Sequence, residues 1–247
     1  MSVPRWLGGV VFTPGLMAFT GEIGDTAAHS HAAIQVLLVT AGALTLTDTT
    51  GHTAAAQVAI IPPGARHEVR ATPATTGFLA YLDSGSSTGR AALARLNGLP
   101  PGEVSSWITA AIPRSTPPLP LRYSTPPPPR RSSHPVVAEA LRVAATTPGG
   151  PPSLGALATA VAMSPSRLSH LFAAEVGLPY AAWRRWTRLQ LAVNSVRAGG
   201  SLTDAAHAAG FTDSAHLTKT CRDLFGITPT EALIASGWRP PPPAQVS

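Results

Sequence analysis

Two short patterns in the N-terminal part of the sequence hold residue types able to ligate a metal: His29 and His31 with Gln35, and, further on, His67. A His-x-His pair on a strand sends both imidazoles to one face, because side chains alternate along the strand. Three imidazoles and one amide oxygen form a donor set suited to iron, manganese, nickel or zinc. The competing reading is structural, with the histidines lining the mouth of a small β-domain. The C-terminal half offers a different chemistry. Ser166, Arg167, Ser169 and His170, and then Ser214, Ala215, His216, Thr218 and Lys219, fall on the outward faces of two amphipathic segments. Short polar and basic side chains at a helix N-terminus are what reading base edges in a major groove requires. Arg184, Arg185 and Arg188 lie between the two segments and are candidate contacts to DNA phosphates. No residue is assigned a catalytic role.

The elements that would position these side chains differ between the two halves. Short apolar or β-branched runs at Gly9–Phe12, Met17–Thr20, Ile34–Thr40, Leu44–Asp48, Val58–Ile61 and Phe78–Leu82 are punctuated by Gly, Pro, Asp and Thr. That pattern predicts a small antiparallel sandwich or barrel. A helical stretch, Ser87–Asn97, follows, and then a zone containing Pro117, Pro118, Pro120 and the run Pro126–Pro129. Proline lacks a backbone donor and favours extended chain, so residues 99–134 are expected to be a linker and 240–247 a disordered tail.

From Pro135 onward the apolar spacing is helical, and a repeat appears. Ser153 and Ser201 open its copies 48 residues apart, and Gly177 and Gly226 close them. Each serine is placed to cap a short Ala/Leu helix. Helix breaks are expected at Ala162-Met163-Ser164 and Gly210-Phe211-Thr212. Gly210 is suited to a positive φ, Ser164-Pro165 to a helix restart, and Thr212-Asp213 to a restart with a carboxylate at the helix dipole. Leu168, Leu171 and Phe172 face inward in the first copy; Leu217, Cys221, Leu224 and Phe225 do so in the second. The intervening Pro179–Ala198 predicts a helix of about 27 Å, near the spacing of successive major grooves on one face of B-DNA. Two helix-turn-helix units explain the repeat better than a solenoid, which needs more copies.

The phrases Met163-SPSRLSHLF and Ala209-GFTDSAHLTKTCRDLFGITP make the segment 135–239 resemble the DNA-binding region of AraC/XylS transcription regulators. The resemblance implies a seven-helix unit with two recognition helices, promoter DNA as partner, RNA polymerase as a further partner, and a homodimer. By position it implies base contacts from Ser166, Arg167 and His170, and from Ser214, Ala215, His216 and Lys219. Cys221 stands where that family usually has an aromatic core residue. The histidine patterns, with Gly42 and Pro62-Pro63-Gly64, resemble the two cupin motifs, with Gln35 in place of the more usual glutamate. The expected fold is therefore α+β: a cupin-like β-barrel over residues 1–98, followed by an all-α domain with two helix-turn-helix units. The barrel is expected to sense a small-molecule effector, with no resident cofactor; a divalent metal at the cupin motif is the alternative. Two other functions compete, a metal-dependent cupin enzyme fused to a DNA-binding domain and a constitutive regulator whose barrel only dimerises. The enzyme reading finds few polar groups to orient a substrate beyond Arg66 and Glu68.

Bulk composition narrows the classes without choosing among them. The 247 residues have a net charge of +6, and Lys219 is the only lysine among 18 basic residues. A basic protein favours a polyanionic partner, yet the two halves are equally basic, so charge does not say which half touches DNA. A single cysteine excludes an intrachain disulfide framework and a cysteine-rich zinc site. The N-terminus lacks a signal-peptide layout and no run reaches the ~20 apolar residues of a membrane helix, so a cytoplasmic protein is expected.

Overall fold

The computed structural model describes residues 6–112 and 134–235. The predicted disordered tail and most of the Pro-rich segment lie outside the described residues. Among the described residues, nine strands form in the N-terminal half: β1 (Leu7–Thr13), β2 (Leu16–Glu22), β3 (Thr26–His29), β4 (Ile34–Ala41), β5 (Leu44–Thr47), β6 (Thr53–Ala55), β7 (Val58–Ile61), β8 (His67–Ala71) and β9 (Thr76–Leu82). They pair into a five-stranded sheet, β1-β2-β9-β4-β7, and a four-stranded sheet, β3-β8-β5-β6, with antiparallel ladders throughout. Burial alternates along β2 and β5, the ends of β7 and β9 are buried continuously, and Ile23, Ile34, Leu37, Leu44, Leu46, Ile61, Val69 and Leu79 fill the space between the sheets.

Among the described residues no ladder joins the two sheets, so in place of the predicted barrel they form an open sandwich. The outer strands of the smaller sheet, β3 and β6, have four and three residues and are too short to bridge to the neighbouring edges.

Two helices close one side of the sandwich, α1 (Ser87–Arg95) and α2 (Val104–Ala111). α2 falls within the expected linker, yet it packs on β7, and its Trp107 is fully buried, donating Nε1–H to Pro101 O at 2.8 Å. Asp48 anchors this helix. Its Oδ2 accepts from Val104 N at 3.1 Å, and its Oδ1 accepts from Thr50 N, Thr50 Oγ1 and His52 N. Burial favours the neutral acid, but these donors outweigh it and hold the carboxyl below its usual range. A folded pKa below the unfolded one means stabilisation that is present above the ordinary carboxylate range and lost as pH falls through it. Asp48→Ala should lower stability by about 2–3 kcal/mol at neutral pH, and the deficit should shrink on acidification, as read by denaturant melts across pH.

The C-terminal half is all helical: α3 (Pro135–Thr146), α4 (Leu154–Ala160), α5 (Pro165–Val176), α6 (Tyr180–Arg197), α7 (Leu202–Ala208), α8 (Ser214–Phe225) and α9 (Pro229–Ala235). The predicted caps are in place. Ser153, Ser164 and Ser201 Oγ accept from Ala156, Arg167 and Asp204 N, and Asp213 Oδ1 accepts from His216 N at 2.7 Å. Gly177 and Gly226 end α5 and α8 in the left-handed region, both at φ 75°. The turns between paired helices also use positive φ, at Ala162 (51°) and Gly210 (80°). One core holds α3–α5 and the start of α6, around Leu168, Phe172 and Tyr180.

The second core is shared between the two halves of the chain. Met17, Ala33 and Tyr81 of the sandwich are buried with Trp186, Leu189, Leu217, Cys221, Leu224 and Phe225 of α6 and α8. Polar contacts fix this docking. Trp186 Nε1–H donates to Asp83 Oδ2 at 2.8 Å, and Gln190 Nε2 donates to Phe12 O at 2.8 Å. Ala32 N and Ala33 N donate to the carbonyls of Asp223 and Leu224 in the last turn of α8.

Candidate nucleic-acid interface and histidine centre

α4–α5 and α7–α8 are the two helix-turn-helix units. Each second helix buries an apolar stripe: Leu168 and Phe172 in α5, and Leu217, Cys221, Leu224 and Phe225 in α8. Leu171 is half-buried beside them. Fully burying each large side chain contributes roughly 1.5–3 kcal/mol, which holds the opposite faces outward. On α5, Ser166, Arg167 and His170 are exposed and Ser169 is half-buried. On α8, Ala215, His216 and Lys219 are exposed, with Ser214 and Thr218 half-buried. The side chains expected to read bases therefore lie exposed or half-buried in the N-terminal halves of both helices. Two of their side chains already have partners: Thr212 Oγ1 lies 2.8 Å from His216 Nδ1, and Lys219 Nζ donates to Asp223 Oδ2 at 2.6 Å.

Arg184, Arg185 and Arg188 of α6 each have a partner within the chain. Arg184 Nε donates to Pro151 O at 2.8 Å, and Arg188 Nη2 approaches the same carbonyl at 3.4 Å. Arg185 Nη2 pairs with Asp83 Oδ2 at 3.3 Å, across to the sandwich. Carbonyls in the Gly149–Pro152 loop project toward α6, and prolines there supply no donors, so guanidinium groups satisfy them. These contacts tie α6 to the Gly149–Pro152 loop and to the sandwich. Trp183 packs in the first core, stacked on Tyr180 at 5.8 Å, and Trp186 packs in the second. Cys221 is buried, and burial pushes its thiol up to about 12, which leaves an unreactive core side chain.

The histidines converge. His29 ends β3 and pairs in register with His67 at the start of β8, whereas His31 lies beyond the strand, in the turn leading to β4. The expected His-x-His strand is thus interrupted, but the three imidazoles still meet, with ring centroids 4.4–5.5 Å apart and donor atoms within 4.8 Å of one another. Each Nδ1 sits against a backbone carbonyl two residues away: His29 on Ala27 O at 2.8 Å, His31 on Ala33 O at 2.9 Å, and His67 on Ala65 O at 2.9 Å. A neutral imidazole whose Nδ1–H donates carries its lone pair on Nε2. Nε2 of His31 lies 3.1 Å from Gln35 Oε1, and Nε2 of buried His67 has no partner. Burial lowers the pKa of His31 and takes His67 down to about 3, with the neighbouring histidines adding to both, so these rings are neutral near pH 7. Arg66 is exposed, and Glu68 is tied to Arg70, so neither is poised over the centre.

Residues 157–233 match the family model described as "Helix-turn-helix domain". Over 78 residues the chain is 37% identical to the bifunctional transcriptional activator/DNA repair enzyme Ada of Escherichia coli, which covers 32% of this chain and 22% of that protein. The chain thus spans about a fifth of that relative's length. Among solved structures, an AraC-type transcriptional regulator from Chromobacterium violaceum is 27% identical over 42% of this chain and 90% of its own, with a TM-score of 0.35. ToxT from Vibrio cholerae covers 90% of this chain and 98% of its own at 8% identity, with a TM-score of 0.41. The C-terminal unit of this chain therefore carries a helix-turn-helix domain. Among the described residues no helix is long and apolar enough to cross a membrane.

Proposed function

We propose that the chain is a sequence-specific DNA-binding transcription regulator whose N-terminal sandwich is its regulatory half. The observation that supports this best is the pair of capped helix-turn-helix units, each with an exposed polar and basic N-terminal turn on its second helix. Inserted in successive major grooves, Arg167 and Lys219 reach base edges, and Ser166, His170 and His216 add shorter donors and acceptors. The ion pair of Lys219 with Asp223 is exposed at both ends and gives little resistance to that transfer. Homodimerisation and contact with RNA polymerase accompany this reading of a promoter-bound protein.

An effector has a candidate place between the halves. A narrow apolar crevice of about 70 Å³ is lined by Trp6, Phe19, Thr26 and Tyr81 of the sandwich and by Ile227 and Glu231 near α9. Thr26 Oγ1 is buried without a partner and could bind one polar group of a small apolar molecule. An occupant would touch both halves and report on their docking. The cupin-like character of the sandwich belongs to this proposal, and the binding reading is preferred over an enzyme because Arg66 is exposed and Glu68 is paired to Arg70, so neither orients a substrate at the histidines.

Selection of duplexes from a random library by the full chain tests the proposal. A defined motif should emerge, and its affinity should fall steeply with salt as counterions are released. Arg167→Ala or Lys219→Ala should relax preference at one or two positions, by roughly 1–3 kcal/mol each. Arg185→Ala should instead loosen the sandwich through Asp83. Failure to enrich any motif, or an affinity flat in salt, would refute the reading.

A further inference from the structure

The three-histidine centre is not isolated inside the sandwich. It sits at the C-terminal end of α8, the second recognition helix. The segment from His29 to Ala33 carries two of the histidines, and the same segment caps α8: Ala32 N donates to Asp223 O at 2.6 Å and Ala33 N to Leu224 O at 3.3 Å. The His29 ring lies against Gly226, the left-handed residue that ends the helix. A methyl group on Gly226 would collide with His29 Cδ2 and lie 2.8 Å from Nε2.

We propose that His29, His31, His67 and Gln35 hold one divalent transition-metal ion, and that the bound ion fixes the segment that caps the second recognition helix. Three features of the donor set fit such an ion. All three Nδ1–H groups are committed to carbonyls, which orients each ring and leaves its Nε2 lone pair for a ligand, and ring nitrogens of the three histidines lie within 4.8 Å of one another. His67 Nε2 is buried and otherwise orphaned, a cost that a metal–nitrogen bond removes. His31 Nε2 and Gln35 Oε1 stand 3.1 Å apart as two acceptors, close to the about 3.0–3.4 Å separating two ligands on one ion at 2.0–2.1 Å bond lengths. Without metal, that contact is satisfied only if the amide turns to donate N–H. The position favours a cation for a further reason, because the last turn of α8 presents the negative end of its dipole.

The ion's effect on α8 follows from shared residues. Binding restrains His29 and His31, and with them Ala32 and Ala33, whose N–H groups hold the Asp223 and Leu224 carbonyls. Those carbonyls belong to the helix whose N-terminal turn bears His216 and Lys219. A site that pins the helix at one end sets its orientation at the other. The consequence for DNA rests on the proposed regulator function; the metal site and its coupling to α8 do not.

The matched glycines provide the test. Gly177 and Gly226 end α5 and α8 with the same φ of 75°, but a methyl group on Gly177 meets nothing within 4 Å. Alanine at either position therefore imposes the same backbone strain, and only Gly226→Ala displaces His29. The full chain, stripped with chelator, is titrated with Co2+ or Zn2+, and amide hydrogen exchange is followed at residues 223–226. Expected are one ion per chain and at least tenfold slower exchange in that turn on loading. Gly226→Ala should bind at least tenfold more weakly while Gly177→Ala binds as the parent does, and His67→Gln should lose about a hundredfold in affinity. If Gly226→Ala does not fold, the exchange change in the parent and its loss in His67→Gln decide the matter. Absence of stoichiometric binding overturns the site; binding without slower exchange, or equal affinity in both glycine variants, overturns the coupling. Metal binding with slowed exchange but no DNA recognition would instead refute only the regulator reading.

Discussion

Phe225→Ala is expected to remove about 3–5 kcal/mol of stability and, with it, the attachment of the second helix-turn-helix unit to the sandwich. Phe225 is 1% exposed at the end of α8. Its ring meets three others edge-on: Trp186 at 5.2 Å, Tyr81 at 5.6 Å and Phe12 at 5.9 Å. Trp186 belongs to its own domain, whereas Tyr81 and Phe12 come from the sandwich. Truncation therefore opens a cavity at the seam between the halves. Phe172→Ala is the control. It empties a buried place in α5, where the neighbours are Tyr180 and Trp183 of the same domain, at 5.1 and 5.5 Å. The two variants should lose similar stability in denaturant melts. Only Phe225→Ala should speed exchange of the Ala32 and Ala33 amides, whose acceptors are in the last turn of α8. Equal exchange at those amides in both variants would show that the seam does not depend on this ring.

The contrast between these two phenylalanines also shows what the sequence could and could not reveal. The helix-turn-helix units were legible because their determinants are local. Ser164 before Pro165, Asp213 before a helical run, and glycine at the helix ends are each explained within four residues of themselves. The inward stripe of α8 follows from spacing alone. The docking seam has no such signature. Asp83 and Trp186 are 103 residues apart, and Phe12 and Gln190 are 178 apart. Nothing in the neighbourhood of Arg185 indicates that an aspartate from another element will pair with it, so a phosphate contact was the natural expectation. β3 and β8 were missed because Thr26–His29 and His67–Ala71 are short and rich in alanine and charged residues. Their pairing is nonetheless what brings His29 opposite His67. α2 was hidden in proline-rich surroundings, although Trp107 was a local hint of a buried helix. The histidine motif was visible as spacing. Its position under α8 was not, since that depends on how two separately encoded units meet.

Gly210→Ala is expected to cost more than about 3 kcal/mol, while the same residue type is already tolerated at the corresponding turn. Ala162 occupies the left-handed region at φ 51° in the α4–α5 turn, so the first copy accepts the ordinary penalty of about 1–2 kcal/mol for an L-residue there. Ala162→Gly should therefore be close to neutral, relief of strain being offset by roughly 0.5–1 kcal/mol of added chain entropy in the unfolded state. Gly210, at φ 80° in the α7–α8 turn, faces an additional constraint. A methyl group there would collide with the carbonyl oxygen of Gly149 and sit 2.8 Å from Nη2 of Arg188. Gly149 is itself at positive φ, in a loop held to α6 through Pro151, so its carbonyl cannot retreat without breaking those contacts. The turn must then open, and α8 tilts away from α7 and from its cap on the sandwich. Denaturant melts of Gly210→Ala and Ala162→Gly, with salt-dependent DNA affinity alongside, separate backbone strain from collision. Matching small effects at both turns would mean that the Gly149 loop yields, and that Arg184 and Arg188 do not brace it as their hydrogen bonds indicate.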